Sequence, residues 1–253
     1  MTDITISKES FGRFISCFGK DVGDILVIAD EGSISAAVAK STHYIYRKMD
    51  CDVTKAGNIY ISDLPKVKSY LSTIKSSDIQ ISQLEKGGTL HIKCDSSSLQ
   101  VPSATHIESY KQASLVQKAV HTSKSNMWQT WFDTPLTHHA KISGDSLKPA
   151  TGFAKVLGDK YSCKTEFDTD SAEFIIRGGN STTGKMFVRA ELTDIDAPST
   201  AVRSAFDKWL PELLNNLPTG NFNLHTGDET ILVLEQPETD FLMLVVDQEY
   251  EED

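Results

Sequence analysis

The side chains best placed for chemistry in this sequence are lysines and one arginine spaced along helix-like segments. Lys8, Arg13 and Lys20 mark the first segment, Lys66, Lys68 and Lys75 the second, and Lys148, Lys155 and Lys160 the third. Each segment gathers its apolar residues in one stripe, so the cations fall on the opposite side. The seven-residue step from Lys148 to Lys155 keeps both on one face of a single helix. Cations held this way contact phosphates without reading bases, which makes binding salt-dependent and indifferent to sequence. Lysine-rich helix surfaces also serve solubility alone, and the charge pattern leaves both readings open.

Other residues that could do chemistry are less promising. His138 and His139 are adjacent, so in a strand they face opposite sides, and no cysteine or carboxylate stands at ligand spacing; no metal site is expected. Gly178-Gly179-Asn180 leads through Ser-Thr-Thr-Gly into a strand-like run rather than a helix, which reads as a hairpin turn and not a phosphate loop. Nucleophile-elbow, zinc-protease and Walker patterns are missing from the sequence, so neither catalysis nor a cofactor is expected. Cys17, Cys51, Cys94 and Cys163 are scattered in the manner of reduced thiols. Met127, Trp128, Trp131 and Phe132 cluster, either pinning the segment before them or helping to form a groove for a partner.

The elements that must position these residues follow from periodicity. Phe11, Phe14, Ile15 and Phe18 recur at helical spacing between a capping Ser7 and Gly19. Strand-like runs come next at 24–30, 33–39, 43–49 and 57–62. Asp63 caps a second helix with Pro65 in its first turn and Val67, Tyr70, Leu71 and Ile74 on its stripe, followed by three short strands. The stretch 105–132 is only loosely periodic and reads as a connector with some helical content. Then the plan recurs: a strand from Leu136, a helix over 145–158, strands at 161–168, 171–178, 184–193 and 204–209, a short helix at Pro211, and three closing strands.

The recurrence is one of residues as well as of elements. Ile6-Ser7-Lys8-Glu9-Ser10-Phe11 is echoed by Ile142-Ser143-Gly144-Asp145-Ser146-Leu147, Leu64-Pro65 by Leu210-Pro211, and Ile79 and Ile81 by Phe222 and Leu224. Duplication at this period outweighs any single residue in deciding the fold. The predicted class is α+β: two tandem pseudo-repeated domains, each an antiparallel sheet with two helices on one face. The predicted boundaries are 1–104 and 133–253, joined by the connector 105–132. At 253 residues, each domain has about 110 to 120 residues.

Composition bounds the function. Hydrophobic residues at 39% and charged residues at 24% are those of a soluble globular protein, and neither a membrane-length apolar run nor a leader is recognisable, so a cytoplasmic protein is expected. The net charge of −10 argues against nucleic acid unless charge is sorted by surface. Sorting is what the pattern predicts, because the carboxylates gather in turns, strand edges and the tail, as in 168–173, 194–196, 235–240 and 249–253.

These residues resemble the DNA polymerase sliding clamps, most closely those of large tailed phages. The likeness is carried by Asp63-Leu64, Asp78-Ile79-Gln80-Ile81-Ser82-Gln83 with Leu90-His91-Ile92, Val101-Pro102-Ser103-Ala104, Gly220-Asn221-Phe222-Asn223-Leu224 and Asp240-Phe241-Leu242-Met243-Leu244-Val245-Val246. The resemblance implies a head-to-tail homotrimeric ring with helices around duplex DNA, and an ATP-driven clamp loader. It further implies a replicative DNA polymerase held by a peptide in an apolar groove near the connector, and, for a viral protein, residence in the host cytoplasm. In that reading the nine cations named above face DNA, while Met127, Trp128, Trp131 and Phe132 belong to the groove. The competing expectation is a protein-interaction scaffold of the same duplicated fold that does not encircle DNA.

Overall fold

Alternation of buried and exposed residues marks the first strand of each half, Thr2–Ser7 and His138–Ser143, whereas Ile231–Gln236 is buried throughout. In a computed structural model, which describes residues 1–19, 22–84, 88–102, 108–158, 163–180, 184–206, 209–228 and 231–246, two compact units divide the chain. Unit 1 comprises Met1–Lys40, Ile45–Val116 and Pro237–Phe241; unit 2 takes Ser41–Tyr44, Gln117–Gln236 and the residues from Leu242.

Unit 1 runs β1 (Thr2–Ser7), α1 (Lys8–Ser16), β2 (Ile25–Asp30), β3 (Ser33–Ala39), β4 (His43–Asp50), β5 (Asp52–Lys55), β6 (Gly57–Ile61), α2 (Leu64–Thr73), β7 (Asp78–Gln83), β8 (Leu90–Cys94) and β9 (Ser97–Val101). One sheet has the order β5-β1-β7-β8-β9, and β4, β3, β2 and β6 are neighbours in that order in another. The helix α3 (Glu108–Ser125) and a small hairpin, β10 (Thr130–Trp131) with β11 (Thr134–Pro135), lead into β12 (His138–Ser143).

Unit 2 continues with α4 (Gly144–Leu147), a 3-10 turn (Lys148–Gly152), α5 (Phe153–Leu157), β13 (Cys163–Asp168), β14 (Glu173–Asn180) and β15 (Gly184–Asp196). It closes with β16 (Val202–Phe206), α6 (Trp209–Leu214), β17 (Asn221–Thr226), β18 (Ile231–Gln236) and, from Leu242 on, β19 (Phe241–Val246); the short 3-10 turn Pro237–Thr239 before β19 is counted with unit 1. Its strands are ordered β16-β13-β14-β15-β12-β17-β18-β19. No described helix is long and apolar enough to cross a membrane.

The echo seen in sequence is an equivalence of register. β1 pairs antiparallel with β7 from Thr2–Gln83 to Ser7–Asp78, and β12 pairs with β17 from His138–Thr226 to Ser143–Asn221. Ile6 opposite Ile79 becomes Ile142 opposite Phe222, and Ile4 opposite Ile81 becomes Ala140 opposite Leu224. Even the entry to the helix is repeated: the Lys8 amide donates to the Ser77 carbonyl at 2.7 Å, and that of Gly144 to Gly220 at 2.9 Å.

The structure departs from the sequence expectation at three places. The helix expected over 145–158 is broken into α4, a 3-10 turn and α5, because Pro149 has no amide to donate and its ring collides with the carbonyl four residues back. Leu147, Ala150, Phe153 and Leu157 are nevertheless all buried. The strand expected at 204–209 lies at Val202–Phe206. Third, β5 is an additional strand, separated from β4 at Cys51. In unit 2 the single long β15 does the work of both, pairing with β14 through Gly184–Glu191 and with β12 beyond.

Candidate nucleic-acid interface

In unit 1 the cations sit on two helices that are fastened to one another. Ser7 caps α1 by accepting from the Ser10 amide at 3.0 Å, and Phe11, Phe14 and Ile15 bury one face. That leaves Arg13 exposed on the other face, paired one turn back with Glu9. Such an exposed pair contributes little to stability and offsets part of the cationic charge. Asp63 caps α2 by accepting from the Lys66 amide at 2.9 Å, while Val67 and Leu71 turn inward and Lys66 outward.

Two lysines of this set do something the sequence does not announce. The Lys8 ammonium, at the start of α1, donates to the Ile74 carbonyl beyond the end of α2 at 2.8 Å. The Lys68 ammonium, on α2, donates to the Gly19 carbonyl beyond the end of α1 at 2.7 Å. Helix C-termini carry unpaired carbonyls and a partial negative charge, so each lysine stabilises the end of the other helix. A groove of about 320 Å³ lies between them, lined by Lys8, Gly12, Ile15, Lys68 and Leu71 among others. Lys75 lies just past α2, exposed at the mouth of a cavity of about 600 Å³ that also borders Tyr70, Cys94 and Ser97.

Unit 2 contributes Lys148 and Lys155. The single helical face inferred from their spacing does not exist, because the 3-10 turn at Lys148–Gly152 intervenes. Lys148 pairs with Asp145 at 2.6 Å and Lys155 is exposed on α5. Gly178 of β14 lets α5 lie close to the sheet, since a Cβ there would collide with the Phe153 ring. Lys20 and Lys160 lie outside the described residues. Of the lysines considered, Lys66, Lys75 and Lys155 are exposed and form no ion pair among the described residues.

Sequence reasoning missed Arg47. It is 7% exposed on β4, and its guanidinium donates to the Arg13 carbonyl in the last turn of α1 at 2.8 Å, placing a buried cation behind the DNA-candidate helix. Nearby Cys17 is fully buried, which pushes its thiol up to about 12 despite Arg47 and Lys68. The available signal was a charged residue in an apolar inward alternation, His43, Ile45, Arg47.

The aromatic cluster divides between two roles. Trp128 is 3% exposed; its indole N–H donates to Glu235 Oε2 at 3.1 Å, and Glu235 also pairs with Lys124. Its ring stacks on His225 at 5.9 Å and on Trp131 at 6.3 Å. Met127 and Phe132 are 78% and 71% exposed. Met127, Trp128, Phe132 and Asp133 all have positive φ, the last two turning β10 into β11. Positive φ is strained for bulky residues, and such strain concentrates at functional segments.

Beneath this cluster His139 Nδ1 lies 2.9 Å from His225 Nδ1, while His138 points to the other face and packs on Phe167, as strand alternation requires. Among the described residues, no three His, Cys, Asp or Glu side chains are grouped to hold a metal. Burial, then repulsion from His139, drives His225 down to about 3; burial also lowers His139, against the opposing charge of Asp196.

Comparison with known proteins follows the fold. No protein-family model matches the chain, and no curated protein matches it in sequence. Solved structures do match. PCNA of A. fulgidus, solved with the C-terminal region of FEN-1, superposes with a TM-score of 0.70 at 13% identity over 100% of both chains. The DNA polymerase III β subunit of Pseudomonas aeruginosa gives 0.71 at 9% identity over 98% of this chain and 66% of its own. The Helicobacter pylori β clamp bound to a DNA ligase peptide gives 0.65 at 13% over 99% and 68%. The chain thus spans about two thirds of the length of these bacterial β clamps. The fold is that of the DNA polymerase sliding clamps.

Two outcomes are expected. Lys68→Met removes a helix-end contact and lowers unfolding free energy in urea by about 1 kcal/mol, whereas Lys66→Ala leaves it unchanged; equal losses contradict the reciprocal fastening. Because both histidines have lowered pKa values in the folded state, the unfolded chain binds more protons below pH 6.5. Their contribution is complete above that pH and is lost as pH falls towards about 3. His225→Phe is therefore expected to shrink the acid-side loss of stability across that window, read by urea midpoints at successive pH values.

Proposed function

We propose that the chain is a processivity clamp: three copies close head to tail around duplex DNA and hold the replicative polymerase to its template, catalysing nothing. The observation that carries this reading is the register-for-register repeat of two units in the clamp fold, matched over the full length of PCNA. Closure has free strand edges to work with. Among the described residues β9 ends its sheet in unit 1, and Gly184–Glu191 of β15 is paired only with β14 in unit 2. Edges on two different units suit a heterologous contact, which closes into a ring when its rotation divides the circle.

Topology rather than affinity then keeps the protein on DNA. Exposed Lys66, Lys75 and Lys155 supply a few salt-sensitive phosphate contacts, enough to centre the duplex and too few to stop sliding. An ATP-driven clamp loader opens the ring. FEN-1 and DNA ligase peptides bind the relatives named above; here the exposed Met127 and Phe132, with Trp131, are the candidate surface for a polymerase peptide, and Trp128 is its buried anchor.

The test is retention on linear duplex with free or streptavidin-blocked ends. A ring at high concentration threads over free ends and is held back by blocks, and Lys66→Glu with Lys155→Glu weakens retention at a given salt. Binding indifferent to end-blocking and to those charges supports the scaffold alternative instead.

A further inference from the structure

The sheet formed by β13–β16 carries a second concentration of cations that the helix-face pattern does not include. Strand register sets it. Lys164 lies opposite Arg177 on β14, Arg177 lies opposite Phe187 on β15, and Glu166 lies opposite Arg203 on β16, so all share one face, as does Lys185 two residues before Phe187. Lys164, Arg177, Lys185 and Arg203 are exposed, and Phe187 is 50% exposed with the Arg177 guanidinium 5.7 Å from its ring centre.

Among the described residues one carboxylate pairs with any of these four cations, and a fifth cation on the same face, Arg189, is taken by Glu173 at 2.6 Å. Glu166 is buried and held by Arg177 on one side and by Arg203 at 3.1 Å on the other. Lys164 and Lys185 form no ion pair among the described residues. Like charges set directly across two strands destabilise a sheet. A chain of net charge −10 that opposes Lys164 to Arg177 therefore gives up stability at this spot.

We infer that this face is a docking surface for a short, acidic, aromatic-bearing segment of a partner protein. Charge complementarity supplies the sign, and Phe187 supplies an apolar platform for the aromatic ring. The size of the patch selects a peptide over nucleic acid. Strands lie about 4.8 Å apart, so four of them span about 14 Å. At the far end of the same face Asp168 and Glu191, flanking a Glu173 already paired with Arg189, would repel a phosphate backbone tracking onward. The opposite face of this sheet is covered by α5, with Gly178 against Phe153, so the patch points away from the Lys155-bearing layer of the same unit. The inference uses the side chains on this face, whereas ring closure is proposed to use the main-chain edge of the same β15 segment, Gly184–Glu191.

Fluorescence anisotropy on the full chain tests it, with a fluorescein-labelled Glu-Glu-Tyr-Glu-Glu peptide and a labelled oligothymidine as probes. The peptide is expected to bind with an affinity that falls with salt and to lose about tenfold or more on Lys164→Glu with Arg203→Glu. Lys66→Glu with Lys155→Glu is expected to leave peptide binding unchanged, and failure of the DNA-retention experiment would not alter that result. Lys164→Glu alone is expected to raise the thermal midpoint by removing the like-charge opposition, which also shows that it folds. Phe187→Ser is a second variant expected to weaken the peptide. No peptide binding, peptide binding indifferent to Lys164, Arg203 and Phe187, or oligothymidine held more tightly than the peptide at this face would each overturn the inference.

Discussion

An antiparallel strand pair can bury only every second residue on a given face, so the register of β1 on β7 decides which side of the sheet α1 must cover. Shifting it by one residue would turn Ile4 and Ile6 to solvent and carry the helix to the wrong side. The same six-residue register between β12 and β17 places α4 and α5, starting from the same amide-to-carbonyl bond at the strand end. Every cation considered for DNA on these helices is positioned at one remove by those pairings. The two units consequently present chemically similar helical layers from sequences that share few residues.

The helical layers are not simple rows of free charge. Lys8 and Lys68 are occupied with the carbonyl ends of each other's helices, Arg13 is answered by Glu9, and Lys148 by Asp145. Buried Arg47 adds a cation behind α1. In the proposed ring such helices would guide a polyanion without gripping it, which suits a hold on DNA that is topological. The exposed aromatic hairpin stands in contrast: its backbone is strained, and its neighbour Trp128 is fixed by a hydrogen bond, a ring stack and a buried carboxylate.

Much of this was legible in the sequence because it rests on period. Ile6 and Ile142, or Ile79 and Phe222, announce themselves by alternation and by recurrence in order. The helix α3 was hidden because its buried positions include Ala113 and Ser123 while Leu115 is exposed, so the apolar stripe is written in small and polar residues. Pro149 was legible and overlooked: its consequence is local, and the apolar spacing through Leu157 survives the break. The lysine fastening was not legible, since its acceptors are main-chain carbonyls that any residue possesses. His139 and His225 meet only through the register of β12 on β17, across 86 positions of chain. The cations around Phe187 likewise converge from four strands, and no single stretch of sequence contains them.

We propose that the tandem units close head to tail into a ring of three. Its most direct test is the molar mass in solution by light scattering across a range of protein concentrations. A closed ring gives a single species of three times 27.9 kDa; a monodisperse monomer at high concentration would contradict it.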